Sequence, residues 1–243
     1  MSPSRFRANG DSPLLLLWDI DHTLIENGGV CRKAMTDAFL EITGQTLDLE
    51  PLETEGCTDL EVMHRALLRA GIQPTQDLLG RFVNRLGELF AADLPLLRER
   101  GRVLGGVERA LSAVGELPDV FQTVVTGNIR ANAVAKLAAF GLDAFIACEI
   151  GGYGSDRDSR SELVVIARER AEKKIGMSFD GSRTLIIGDT LRDIDAAREN
   201  GAGVIAVATG RISAGDLRFH GADIVLSDLR DTTVLLDSIR AVL

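Results

Sequence analysis

The chain has 243 residues, 45% of them hydrophobic, six prolines and a formal net charge of −9. That length suits one large domain or one domain with a substantial insertion, and the composition can bury an ordinary globular core. The acidic balance argues against nucleic acid or an anionic membrane surface as partner, but not against a small phosphorylated ligand, because local charge decides that.

In chain order, residues 1–13 are polar and loosely basic, which predicts a short flexible tail. Leu14 to Leu24, LLLLWDIDHTL, is an apolar run that ends abruptly in Asp19 and Asp21. It is too short for a signal-peptide core and stops at a charge, so a cytoplasmic chain is expected. No stretch is long enough to span a membrane. The cysteines Cys31, Cys57 and Cys148 are widely spaced, as free thiols in a reducing compartment are. A run such as Leu14–Trp18 suits a buried central strand of a parallel sheet, whose chemistry lies past the carboxyl ends of its strands. Two acids one residue apart there call for a compensating charge, and a divalent cation supplies one.

Glu26-Asn27-Gly28-Gly29 then reads as a flexible turn. Val30–Ile42, Thr58–Ala70 and Thr75–Arg100 read as helices, the second opened by a Thr58/Glu61 capping box and the third broken near Pro95. The remainder alternates. Helices are predicted at Val107–Val114, Arg130–Phe140, Ser159–Ile175, Leu191–Asn200 and Thr232–Val242. Strands are predicted at Val120–Thr126, Ala144–Ile150, Thr184–Gly188, Val204–Ala208 and Ile224–Leu226. The fold class is therefore α/β, a Rossmann-like parallel sheet core with an inserted all-helical unit. The core takes residues 14–27 and 101–243, and the inserted cap takes 28–100.

Three strand ends carry polar signatures: Asp19-Ile20-Asp21-His22-Thr23-Leu24, Thr126-Gly127-Asn128, and Gly188-Asp189-Thr190-Leu191-Arg192-Asp193. In order, spacing and intervening helical insertion they resemble the haloacid dehalogenase superfamily of phosphohydrolases, in its phosphoglycolate phosphatase-like branch with a type-one cap. The resemblance covers the chain from about Leu14. It implies Mg²⁺-dependent hydrolysis of a small phosphate monoester. Asp19 would be the nucleophile, carrying an aspartyl-phosphate, and Asp21 the general acid and base. The implied metal set is Asp19, Asp189, the backbone carbonyl of Asp21, and Asp193 in support. Thr126, Gly127 and Asn128 would receive phosphoryl oxygens.

Two positions depart from the family pattern. The lysine usual at the start of the helix after the third strand is missing, and Arg160 stands in its place, with Arg157 the nearest substitute. Arginine can neutralise phosphate and hold the nucleophile, although its planar fork differs from a point charge. His22 replaces a glycine, and a side chain directed away from the phosphate is expected there. Cys57 stands where relatives often carry a basic residue, which weakens the case for a carboxylate-bearing substrate. Arg32, Lys33, Arg65 and Arg69 are the other cations of the inserted unit. The expected partner is a small phosphorylated metabolite, with neither nucleic acid nor membrane, and the chain is expected as a monomer or homodimer. Alternatives are a phosphosugar mutase, a haloacid dehalogenase (ranked below because its leaving group needs no proton), and a phospho-ligand binding protein without turnover.

Overall fold

A computed structural model describes residues 13–50 and 54–242. The expected tail lies outside the described residues except for Pro13. Six parallel strands form the central sheet: β1 (Leu14–Trp18), β4 (Val120–Thr126), β5 (Gly152–Tyr153), β6 (Thr184–Gly188), β7 (Gly203–Val207) and β8 (Ile224–Leu226), in the order β5-β4-β1-β6-β7-β8. β1 is central, with Trp18 in register with Val124 on one side and Ile187 on the other.

The two-residue period of a strand explains why β1 is apolar throughout. Leu14, Leu16 and Trp18 point into one layer, with α5 (Val107–Gly115), α6 (Arg130–Ala139) and α10 (Thr232–Val242). Leu15 and Leu17 point into the other, with α7 (Arg160–Ile175), α8 (Leu191–Glu199) and α9 (Ala214–His220). Both faces are covered, and the α/β parallel fold read from the sequence is the one observed.

Between Ile25 and Val103 the chain forms α1 (Val30–Thr43), α2 (Asp59–Arg69), α3 (Gln76–Ala92) and α4 (Leu94–Arg100). They bury a separate apolar cluster that includes Phe39, Phe82, Phe90 and Leu97, and Ile129 at the foot of α6 enters it. Thr58 caps α2 by accepting from the Glu61 N–H at 3.0 Å. Only that half of the expected capping box forms through side chains, because the Glu61 carboxylate leaves to take a two-pronged contact from Arg192 on α8, both at 2.9 Å.

Two elements differ from the sequence reading. The flexible passage after Asp21 contains β2 (Ile25–Glu26), which pairs antiparallel with β3 (Arg102–Val103), so the entry and exit of the inserted helices are tied together. Two residues per strand are too few to leave a periodic signal. The strand expected over Ala144–Ile150 is instead two 3₁₀ turns, Leu142–Ala144 and Cys148–Ile150, and the ladder resumes at β5. Ile146 and Ile150 bury themselves from those turns, and Ala147 bonds to β4, donating its N–H to the Gln122 carbonyl. A Cβ on Gly152 would lie 2.1 Å from the Leu163 carbonyl oxygen, so glycine is what lets β5 pass against α7.

Candidate active site

Asp19 leaves β1 with its N–H bonded to the Ile187 carbonyl at 2.8 Å, which fixes its backbone at the sheet's carboxyl edge. Its side chain is buried, 2.7 Å from the Arg160 guanidinium. The same Arg160 nitrogen lies 2.6 Å from Asp193. Arg160 is the first residue of α7, where the helix dipole disfavours a cation. Two carboxylates offset that cost, and the side chain also donates to the Gly56 carbonyl at 3.3 Å. Arg157, by contrast, is exposed and lies 3.9 Å from Glu162.

Asp189 and Asp193 come from the β6–α8 turn. Asp193 closes a capping box: its Oδ2 accepts from the Thr190 N–H at 3.0 Å and the Thr190 hydroxyl at 2.7 Å. Asp189 Oδ1 accepts from the Thr23 hydroxyl at 3.1 Å, and its buried Oδ2 has no hydrogen-bond partner. A Cβ on Gly210 would sit 1.8 Å from that oxygen, so only glycine leaves it room. Asp19, Asp189 and Asp193 each place an oxygen within 4.8 Å of the others. Burial pushes the Asp19 carboxyl up to about 6 against the pull of Arg160, and burial with the charges of Asp19 and Asp193 pushes Asp189 well above the ordinary range. Hard carboxylate oxygens, one of them unpartnered, with repulsion left over, fit a hard divalent cation.

The Asp21 carboxylate stands apart from this trio. It accepts from Asn27 at 2.7 Å, from Asn128 at 2.7 Å, and through both oxygens from Lys136 at 2.9 and 2.6 Å. Burial alone would raise its pKa, but the Lys136 charge and these hydrogen bonds hold it below the usual range. Asn128 is likewise engaged: its amide donates to Thr126 at 2.7 Å and accepts from Lys136 at 2.5 Å. The Asn128 side chain thus orients Asp21 and Thr126 rather than standing free for a ligand. The Thr126 hydroxyl, fully buried, accepts from Asn128 and keeps its own proton to donate.

Gly127 lies directly under the inserted unit. Its carbonyl accepts from the Asp59 N–H at 2.7 Å, and a Cβ on it would meet the Cys57 carbonyl oxygen at 2.1 Å. Asp59 in turn accepts from the Ile129 N–H at 2.8 Å. The segment Gly56–Asp59 is therefore fastened over the strand ends. It helps roof a cavity of about 400 Å³ above Asp19, walled also by Met35, Leu47, Val62, Arg32 and Arg211. His22 sits at φ 59, in the left-handed region that suits the glycine expected there, and its ring turns to Glu26 at 3.1 Å. The Cys57 sulfur, buried, accepts from Arg65 at 3.6 Å.

Lys136 is the residue that the sequence reading missed. Ala133 and Leu137 mark the buried stripe of α6, and Lys136 falls on that stripe. A charge on an apolar face was the available signal.

Residues 162–232 match the HAD-hydrolase-like family model. A 62-residue stretch, 25% of this chain, is 40% identical to the N-acetylmuramic acid 6-phosphate phosphatase of Pseudomonas aeruginosa, and spans 27% of that protein's length. Among solved structures, the chain resembles a β-phosphoglucomutase from Clostridium difficile (TM-score 0.70, 13% identity, 95% of this chain and 96% of that one). It also resembles a predicted phosphatase from Clostridium acetobutylicum (0.69, 17%, 93% and 100%) and a haloacid dehalogenase-like hydrolase from Streptococcus pneumoniae (0.62, 15%, 95% and 100%). The chain therefore has the fold of the haloacid dehalogenase-like hydrolases, with a match to their sequence model across residues 162–232.

Proposed function

We propose that the chain is a Mg²⁺-dependent phosphatase that hydrolyses a small phosphate monoester through an aspartyl-phosphate on Asp19. The observation that carries this reading is the buried Asp19 at the β1 end, ion-paired to Arg160 and within 4.8 Å of the Asp189 and Asp193 oxygens. Asp19, Asp189 and the backbone carbonyl of Asp21 would hold the metal, with Asp193 in support. Bound Mg²⁺ would supply the positive charge that offsets repulsion between the Asp19 carboxylate and the phosphoryl oxygens.

The Asp19 oxygen attacks phosphorus and the ester oxygen leaves, dividing one difficult displacement into two. Arg160 steadies Asp19 and screens the phosphoryl charge, and the Thr126 hydroxyl donates to a phosphoryl oxygen. Asp21 would serve as the proton carrier: Lys136 favours its carboxylate in the free site, so it first takes up a proton from solvent, gives it to the departing alkoxide, and then takes one from the water that hydrolyses the aspartyl-phosphate, an exchange worth roughly 10²–10⁴-fold. The roof of Gly56–Asp59 excludes bulk water from this exchange. A cavity of about 400 Å³ suits a small metabolite.

Phosphate release from an aryl phosphate tests the reading in three samples: native chain with Mg²⁺, native chain with chelator, and Asp19→Asn with Mg²⁺. Activity confined to the first is the expected result. Undiminished turnover by Asp19→Asn would refute the assignment of the nucleophile. A bisphosphate requirement with slow net hydrolysis would instead indicate transfer to a second hydroxyl, as in a phosphosugar mutase.

A further inference from the structure

Lys136 is fully buried on α6, and an ammonium withdrawn from water costs several kcal/mol unless it is well partnered. Its partners come from both parts of the molecule. On the core side it meets both Asp21 oxygens and Asn128 Oδ1. On the side of the inserted helices its ammonium lies 5.8 Å above the Phe90 ring of α3, with the Cys31 thiol of α1 as an electrostatic neighbour. The helix that carries it packs against α3 and α4.

Both oxygens of the Asp21 carboxylate are held in this frame. Asn27 and Asn128 hold one oxygen each, and Lys136 spans both. Asn27 is tied to the start of α1, accepting from the Gly29 N–H at 2.9 Å, and Lys136 meets the inserted helices deeper in, at Phe90 of α3 and Cys31 of α1. A lysine serving only as a counter-charge would need neither the grip on both oxygens nor the second grip on Asn128, which orients Thr126.

We propose that Lys136 is a positioning residue: it sets the direction of the Asp21 carboxylate, and the packing of Cys31 and Phe90 around its ammonium transmits the seating of the inserted helices to Asp21. This rests on the proton-transfer role given to Asp21 under the proposed function.

The test uses the full chain with Mg²⁺ and a series of aryl phosphates from phenyl to 2,4-dinitrophenyl. First-turnover release of the phenol is measured by rapid quench. Phenolate from phenyl phosphate needs a proton to leave well, whereas dinitrophenolate does not. In Lys136→Met, release from phenyl phosphate is expected to fall ~10²-fold and release from dinitrophenyl phosphate by less than ~10-fold, which steepens the leaving-group dependence. A merely structural loss lowers the whole series together, and that outcome, or no loss at all, overturns the inference. Phe90→Leu leaves Lys136 and Asp21 in place and is expected to steepen the series in the same sense by a few-fold. It decides the matter by the same criterion if Lys136→Met does not fold. A native chain inactive on the whole series would instead overturn the proposed function, and this inference with it.

Discussion

Replacing Arg160 by Met removes the cation that, among the described residues, pairs with both Asp19 and Asp193, at 2.7 and 2.6 Å. With charge centres about 4 Å apart and an effective dielectric of about 20, each contact is worth roughly 4 kcal/mol before desolvation. Much of that is offset by the cost of burying the guanidinium, and breaking a buried pair by deleting one partner typically destabilises by about 3–5 kcal/mol. Arg160→Met should therefore lower the unfolding free energy by about 3–5 kcal/mol at pH 8. The deficit should shrink towards pH 5. Asp19 already sits at about 6, and without Arg160 its folded pKa rises further above the unfolded value, so stability is present at low pH and lost as pH rises. Urea unfolding can be followed by the fluorescence of Trp18, the single tryptophan, which is fully buried one residue before Asp19. Arg157→Ala is the control: an exposed side chain 3.9 Å from its partner should change stability by less than ~0.5 kcal/mol. Phosphate release should fall far more in Arg160→Met than in Arg157→Ala. A destabilisation under ~1 kcal/mol together with equal, small losses of turnover in both variants would show that Arg160 does not hold Asp19.

Two further predictions concern the fastening of the inserted unit. Burial pushes the Asp59 carboxyl from 3.8 up to about 6, so the native state keeps a proton that the unfolded chain releases, and stability falls as pH rises through that window. Asp59→Asn, which retains an acceptor for the Ile129 N–H, should gain about 2–3 kcal/mol over the native chain at pH 7 and almost nothing at pH 3, below the unfolded value; an equal offset at both pH values in urea unfolding would contradict it. Gly127→Ala places a Cβ 2.1 Å from the Cys57 carbonyl oxygen, and backbone on both sides leaves no soft atom to yield. Aryl phosphate turnover should drop at least tenfold, with destabilisation of about 1–3 kcal/mol; native-like activity would mean that the roof does not need to lie as close as it does here.

Much of this molecule could be read before any coordinates. Leu14–Trp18 is apolar at every position because a central parallel strand is buried on both faces, and Asp19 ends it because the strand's carboxyl edge meets the cavity. Gly188-Asp189 repeats that pattern on the neighbouring strand. The helix start at Arg160 was legible from the Ser159 boundary and the apolar period that follows. The run Ala144–Ile150 misled because its isoleucines bury equally well from 3₁₀ turns, and apolar content alone does not separate the two. The β2–β3 ribbon was too short to announce itself.

What the sequence by itself determined is therefore the layering of the core, the place of the inserted helices, and which acids end the strands, since these follow from local apolar periodicity and its interruptions. Which partner each charge takes was decided only in three dimensions. Arg160 spans Asp19 and Asp193, Glu61 abandons its cap for Arg192, and Lys136 reaches Asp21 across 115 residues of chain. A buried charge must find an opposite charge or enough hydrogen bonds wherever the fold brings them close, and no spacing along the chain encodes that distance.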